Sequence, residues 1–382
     1  MTRKPLSSIN IFGRICAMKD KERQTMRNAE MNGNGLSRRG FLGGAFSVGL
    51  VGLGGCAGFR PFGKLRKDES LVAVLSDCHV GDWHSPEYQR VKFVNCLSRV
   101  LALDPLPGKM LICGDLAYLW GRKEDYALSR RLLQPVLDAG IELTIGMGNH
   151  DRRDNFLECW PEYAKRTQVP NRIVSVAKGV NFDYVMLDTL NQPEDPTTWI
   201  TPGALDDEQR EWLRATCRQA KRPLLVFGHH PADELGEVGH GRTYKSACKF
   251  GEILMGKKDA PTRCCGYIHG HDHHWQLTRS LIHWSDSRIG ITASLPSTGH
   301  WGDIGYSLLR EHPDRAVLTL VQYDFFTPKP LNPDEPPNPS WKALVRDNEG
   351  ACCTFMVPCN RMGTEPMVTG SVPSAGRHQR LS

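Results

Sequence analysis

From residue 71 onward, short apolar runs alternate with longer stretches in which apolar positions recur every three or four residues. That is the pattern of strands interleaved with amphipathic helices, and it predicts layered sheets covered by helices. The run 71–75 predicts a buried strand, and 86–103 a helix opened by Pro86, with Val91, Val94, Leu97, Val100 and Leu101 at helical spacing. Strands follow over 109–113, 141–147, 181–187 and 223–227, with helices over 125–138 and 206–220. Further strands are expected over 265–268, 288–293, 306–309 and 316–323, the later ones close enough in sequence to pair antiparallel. Beyond residue 326 the pattern stops. Six prolines between 328 and 339 exclude a regular element, and 360–382 is polar and rich in Gly, Pro and Ser, a composition expected to stay disordered. The economical division is a leader (1–55), one domain (68–326), a proline-rich extension (327–359) and a tail (360–382).

Charge changes the picture of the first segment. The 382 residues carry a formal charge of +6, and residues 1–55 alone hold nine Lys/Arg against three acids. The remaining body is balanced, which gives no electrostatic argument for nucleic-acid binding. Ser37-Arg38-Arg39-Gly40-Phe41-Leu42, followed by a weakly apolar stretch with seven glycines between 40 and 55, resembles a twin-arginine export signal. The stretch is too short to span a bilayer and too rich in glycine for a stable buried helix. Leu53-Gly54-Gly55-Cys56 resembles a lipobox in which Cys56 would be lipidated, and Met31 lies where a compact signal would start, so 1–30 is read as a misplaced start. The expectation is export by the twin-arginine machinery to the periplasm or cell envelope, with membrane attachment through a lipid on Cys56. Eleven cysteines follow Cys56, without any C-x-x-C pair, and most lie in apolar runs where Cys behaves as a small buried hydrophobe.

Candidate chemistry concentrates at strand ends. Asp77-Cys78-His79, Gly114-Asp115, Gly148-Asn149-His150-Asp151, Gly228-His229-His230-Pro231 and Gly270-His271-Asp272-His273 each follow an apolar run. Open sheets bind ligands beyond the carboxyl ends of their strands, so five such ends predict one crevice. Imidazoles, carboxylates and an amide oxygen suit Zn, Mn or Fe, and the absence of thiolates points away from a structural zinc site.

The order D-x-H, GD, GNHD, H-x-P, G-H-x-H over about residues 71–323 resembles the calcineurin-like metallophosphoesterases. The resemblance implies an α/β fold (α+β in some schemes): a four-layer αββα sandwich of two mixed β-sheets flanked by helices, with a dinuclear metal site at the strand C-terminal ends. It implies Asp77, His79 and His273 as ligands of one metal, Asn149, His229 and His271 as ligands of the other, and Asp115 bridging both. Two divalent or mixed-valence ions (Mn, Fe or Zn), about 3.5 to 4 Å apart, would hold a bridging hydroxide that attacks a phosphate ester. His150 would be the catalytic residue that protonates the leaving oxygen. GNHD and the lone H-x-P resemble the phosphodiesterase branch. The alternatives are a phosphomonoesterase of acid-phosphatase or nucleotidase type and, from another class, a noncatalytic metal-binding scaffold.

Arg153 is a candidate phosphate grip and His274 a candidate for the pocket rim, while His230 and His269 are read as structural and Asp188 as a supporting residue. His240 and Arg242 lie in a glycine-rich loop, and His300-Trp301-Gly302-Asp303 is a turn placed to close the pocket. One position departs from many relatives. Tyr118, three residues after Asp115, resembles the tyrosine that ligates iron in purple acid phosphatases, but His79 is present here, so His79 is expected to bind and Tyr118 to pack or hydrogen-bond nearby.

Overall fold

Successive side chains of each central strand enter different cores, as the twofold period of a strand requires. In β1 (Lys67–Leu75) and β2 (Leu106–Ile112), Ala73, Leu75, Met110 and Ile112 pack under helices, whereas Val72, Val74 and Leu111 face the opposing sheet. Their C-terminal parts, 71–75 and 110–112, are buried on both faces and therefore read as continuous apolar runs. The computed structural model describes residues 66–81, 87–195, 197–198, 202–237, 244–256, 260–278, 292–322 and 352–357. All belong to the unit Phe62–Ser382. The twin-arginine stretch, Met31, Cys56, Pro86, His240, Arg242, the proline-rich 328–339 and the tail 360–382 lie outside the described residues.

The first sheet has the order β14-β13-β12-β1-β2-β3, with β3 at Glu142–Ile145, β12 at Gly305–Glu311, β13 at Arg315–Gln322 and β14 at Cys352–Met356. Strands β1, β2 and β3 are parallel, and β12 to β14 extend the sheet antiparallel. Helices α1 (Glu87–Leu101), α2 (Lys123–Asp138) and α3 (Arg153–Cys159) cover it through Phe93, Leu97, Tyr126, Leu133 and Phe156. In the second sheet β4 (Ser175–Lys178), β5 (Asp183–Met186), β7 (Leu224–Phe227), β9 (Cys264–His269), β10 (Gln276–Thr278) and β11 (Thr292–Ser294) lie in the order β10-β11-β9-β7-β5-β4. A two-stranded ribbon joins β6 (Ala204–Leu205) to β8 (Gly236–Glu237). Helix α4 (Asp207–Gln219) covers the second sheet with Leu213, and α5 (Tyr244–Met255) covers it with Phe250 and Leu254. Asp206 caps α4 by accepting from Gln209 N at 2.8 Å, satisfying one of the amides that a helix start leaves open. The layers are helix, sheet, sheet, helix, with mixed pairing in both sheets.

The structure moves one expected boundary. Cys352–Met356 pairs with β13, and Cys353 and Phe355 enter the core between the sheets, so the extension expected to begin at 327 returns to the domain. Among the described residues seven cysteines are buried, which fits their apolar neighbourhoods. Helices α3 and α5 and strands β4, β6, β8, β10 and β14 were not expected from the pattern.

Candidate metal centre

The chain leaves β1, β2, β3, β7 and β9 through short loops at 77–79, 114–115, 148–151, 228–231 and 270–273. Asp77 (φ 50°), His79 (45°), Asp115 (50°), His271 (72°) and His273 (59°) all adopt the left-handed conformation. Each such non-glycine residue costs roughly 1–3 kcal/mol and persists where its surroundings hold it. The loops hold one another: Asp77 N donates to Gly114 O at 3.2 Å, and His79 N donates to Asp115 O at 2.9 Å. Glycine is required where they touch. A Cβ on Gly148 would overlap the Asp115 carboxylate, and one on Gly270 would overlap Ser76 Oγ.

Two groups of donors result. Asn149 Oδ1 lies 3.0 Å from His229 Nε2 and 2.9 Å from His271 Nδ1, and those two ring nitrogens are 3.3 Å apart. In the other group His273 Nε2 lies 3.1 Å from Asp77 Oδ1 and 3.4 Å from His79 Nε2. Asp115 Oδ2 stands between them, 3.2 Å from His229 Nε2 and 3.6 Å from His79 Nε2. Thus all seven residues expected as metal ligands meet in one cluster, six of them buried and His271 half-buried.

The chemistry of this donor set fits cations. His79 Nδ1 donates to Tyr118 O at 2.9 Å and His229 Nδ1 donates to Cys113 O at 2.9 Å, which directs the Nε2 lone pair of each neutral ring into the cluster. There they meet a second ring nitrogen or an amide oxygen, contacts that only a proton or a metal ion reconciles. Burial opposes a charge on His229, but the Asp115 and Asp77 carboxylates outweigh it and raise its pKa to about 10. A proton then occupies the place a cation would take. Burial likewise opposes ionisation of Asp115, yet the charges of His229 and His150 hold it well below the usual carboxylate range. His271 Nε2 lies 3.3 Å from Glu234 Oε2, a carboxylate behind an imidazole that fixes the ring's orientation.

His150 borders both groups. Its backbone N donates to Asp115 Oδ1 at 2.8 Å, its Nδ1 donates to Leu119 O at 3.1 Å, and its Nε2 lies 3.9 Å from Asp115 Oδ2. Burial lowers its pKa while Asp115 pulls it upward. The next residue, Asp151, turns away from the donors. It accepts from Leu116 N and Gly148 N on one oxygen (3.3 and 2.9 Å) and from Ala117 N and Tyr126 Oη on the other (3.1 and 3.0 Å). Burial and the nearby Asp115 charge push it up to about 7.

Arg153 requires correction. Its guanidinium is bound by Asp188, with Nε donating at 2.6 Å and Nη2 at 2.8 Å, and by Leu190 O. Its fork is therefore committed to a buried ion pair and is not available to grip a phosphate. Tyr118 meets His79 through its backbone carbonyl. His274, half exposed at its side chain, lies 3.6 Å from Asp303 Oδ2 and edge-on to Trp301. His230 Nδ1 pairs with Thr189 Oγ1 at 2.9 Å, and buried His269 places Nδ1 2.9 Å from Gly270 O. His300 lies against His79, where burial and then His273 lower its pKa to about 3. Sequence reasoning missed Glu234 and the Tyr126–Asp151 contact, which no local pattern announces.

Comparison with known proteins adds independent findings. The sequence profile of the calcineurin-like phosphoesterases matches residues 71–275. A probable cyclic nucleotide phosphodiesterase of Rhodopseudomonas palustris is 30% identical over 129 residues, which are 33% of this chain and 43% of that protein. The match thus spans less than half of that relative's length. A dimetal phosphatase from Danio rerio superposes over 65% of this chain and 95% of its own, at 13% identity and a TM-score of 0.47. A putative 5'-nucleotidase from Staphylococcus aureus does so over 66% and 52%, at 14% identity and a TM-score of 0.36.

Proposed function

Since the chain belongs to the calcineurin-like phosphoesterase family, we propose that it is a metal-dependent phosphoric ester hydrolase acting on a phosphodiester. The observation that carries this reading is the meeting of two donor groups across Asp115 Oδ2, with His150 on their border. Asp77, His79 and His273 would hold one ion, Asn149, His229 and His271 the other, and Asp115 both. Bound there, two divalent or mixed-valence ions supply a water acidic enough to attack phosphorus near neutral pH and positive charge for the phosphoryl oxygens.

The chain's own residues do the rest. His229 gives up its Nε2 proton when it becomes a donor. His150 keeps its Nδ1 proton on Leu119 O, so the proton it passes to a leaving oxygen is carried at Nε2, on the Asp115 side. The negative charge of a bound ester favours that protonated ring against the pull of burial. Asp151 holds 116–117 and 148 together and so keeps Asp115 and Asn149 in register. The diester preference is supported by the GNHD and H-x-P residues and by the relative whose name specifies a cyclic nucleotide phosphodiesterase.

Metal analysis of purified protein, paired with hydrolysis of bis-p-nitrophenyl phosphate and p-nitrophenyl phosphate after chelation and metal readdition, tests this function. Two ions per chain and chelator-sensitive turnover, faster on the diester, are expected. Faster turnover on the monoester would establish the phosphomonoesterase, and two ions without turnover on either ester would favour the scaffold. We also propose export through the twin-arginine route and lipid attachment at Cys56, on the strength of residues 37–42 and 53–56. Cell fractionation and mass analysis of the mature N-terminus test both.

A further inference from the structure

One more imidazole lies against the centre, outside the five strand-end loops. His300, between β11 and β12, stacks on His79 with ring centroids 4.3 Å apart and planes 30° from parallel, and meets His273 edge-on at 5.2 Å. One donor atom from each of His79, His273 and His300 lies within 4.8 Å of the other two. Nδ1 of His300 is buried and has no hydrogen-bond partner. Buried polar atoms in folded proteins are satisfied with few exceptions, and an exception beside a cluster of inward-facing lone pairs calls for a cation.

The ring is held in place by the fold. His300 N donates to Ser297 Oγ at 2.7 Å, Ser297 Oγ donates to Asp77 O at 3.0 Å, and Lys92 Nζ donates to His300 O at 2.8 Å. The same loop is pinned by Thr298 N to Ser76 O at 2.9 Å and by Asp303 N to His273 O at 2.8 Å. Gly299 permits this approach, because a Cβ there would overlap Cys78 O. The loop is therefore docked on the two segments that carry Asp77, His79 and His273.

We propose that His300 is a further metal ligand, adding a third imidazole to the ion held by Asp77, His79, His273 and Asp115. The assignment rests on the dinuclear reading above. It gives that ion five protein donors and leaves four for the other (Asn149, His229, His271 and the shared Asp115). An extra imidazole biases the first position toward Zn or Fe over oxygen-preferring Mg or Ca.

The test uses the full chain reconstituted with Zn(II), titrated with a chelator, and separately loaded with Co(II) for visible spectroscopy. The His300→Ala protein is expected to keep one ion with unchanged affinity and to release the other at an affinity about 10- to 100-fold weaker. The Co(II) absorption should change in shape, and added imidazole should restore part of the affinity. The His300→Gln protein, which keeps bulk in the loop, should show the same loss, whereas Trp301→Ala should hold both ions like the parent chain. Two ions held by His300→Ala as tightly as by the parent, with an unchanged Co(II) spectrum, would overturn the assignment even if KM rose. Equal loss in Trp301→Ala would overturn it too, by tracing the effect to the loop. A parent chain that binds no ions would overturn the metal-centre reading along with the assignment.

Discussion

Asp115 and Asp151 are both buried carboxylates on the strand-end loops, yet their surroundings differ in kind. Asp115 accepts one backbone amide, from His150, but its side-chain neighbours are the Nε2 atoms of His229 and His79, which also face Asn149 Oδ1 and His273 Nε2 at 3.0 and 3.4 Å. Around Asp151 every neighbour is a donor: three backbone amides and the Tyr126 hydroxyl. The first region needs a proton or a cation between its facing acceptors, while the second is satisfied within the fold. Residue type does not separate a reactive centre from its supports; the balance of donors and acceptors does.

The sharpest way to break that comparison is Asp115→Asn. It should lower metal content below two ions per chain and reduce turnover on the order of 10³-fold or more. Full occupancy by plasma mass spectrometry would contradict the bridging role. His150→Ala should keep both ions and lose about 10²- to 10⁴-fold in kcat, so an unchanged kcat would remove His150 from the reaction.

On the supporting side, Arg153→Met strands the buried Asp188 charge. It should lower unfolding free energy by about 3 kcal/mol in denaturant titration, with KM unaltered, whereas a raised KM would return Arg153 to the substrate. Asp151→Asn turns an amide NH2 toward Gly148 N or Ala117 N and should destabilise by about 1–3 kcal/mol. It should also change the response to pH. The folded-state pKa of Asp151, near 7, lies above the unfolded value of about 3.9. Its stabilising contribution is therefore full below the unfolded value and is lost as pH rises through 7. Thermal midpoints of metal-free protein should fall over that interval, the Asn variant should lack this part of the slope, and metal loading should flatten it by cancelling the Asp115 charge. A slope equally steep in the variant would assign it to another group.

Much of this was legible in the chain. Candidate ligands stand beside glycines because the loops that carry them touch, and burial on both faces writes short apolar runs such as 71–75, 110–113 and 224–227 into the sequence. What stayed hidden depends on partners distant along the chain. An arginine after a ligand loop reads the same whether it faces a pocket or, as Arg153 does, a carboxylate 35 positions away. Strand β14 is five residues long and follows a proline-rich stretch, so no period could establish it. His300 belongs to no pattern, and only the docking of its loop on Asp77 and His273 brings it to the centre.

Asp77, His79, Asp115, His271 and His273 occupy backbone conformations that glycine adopts freely. Glycine at any of them would relieve that backbone cost, but it would empty the space the side chain fills and, at Asp77 and Asp115, orphan the amides of His271 and His150. Each exchange would also delete a candidate ligand, so backbone relaxation and turnover make opposite demands on the same residues.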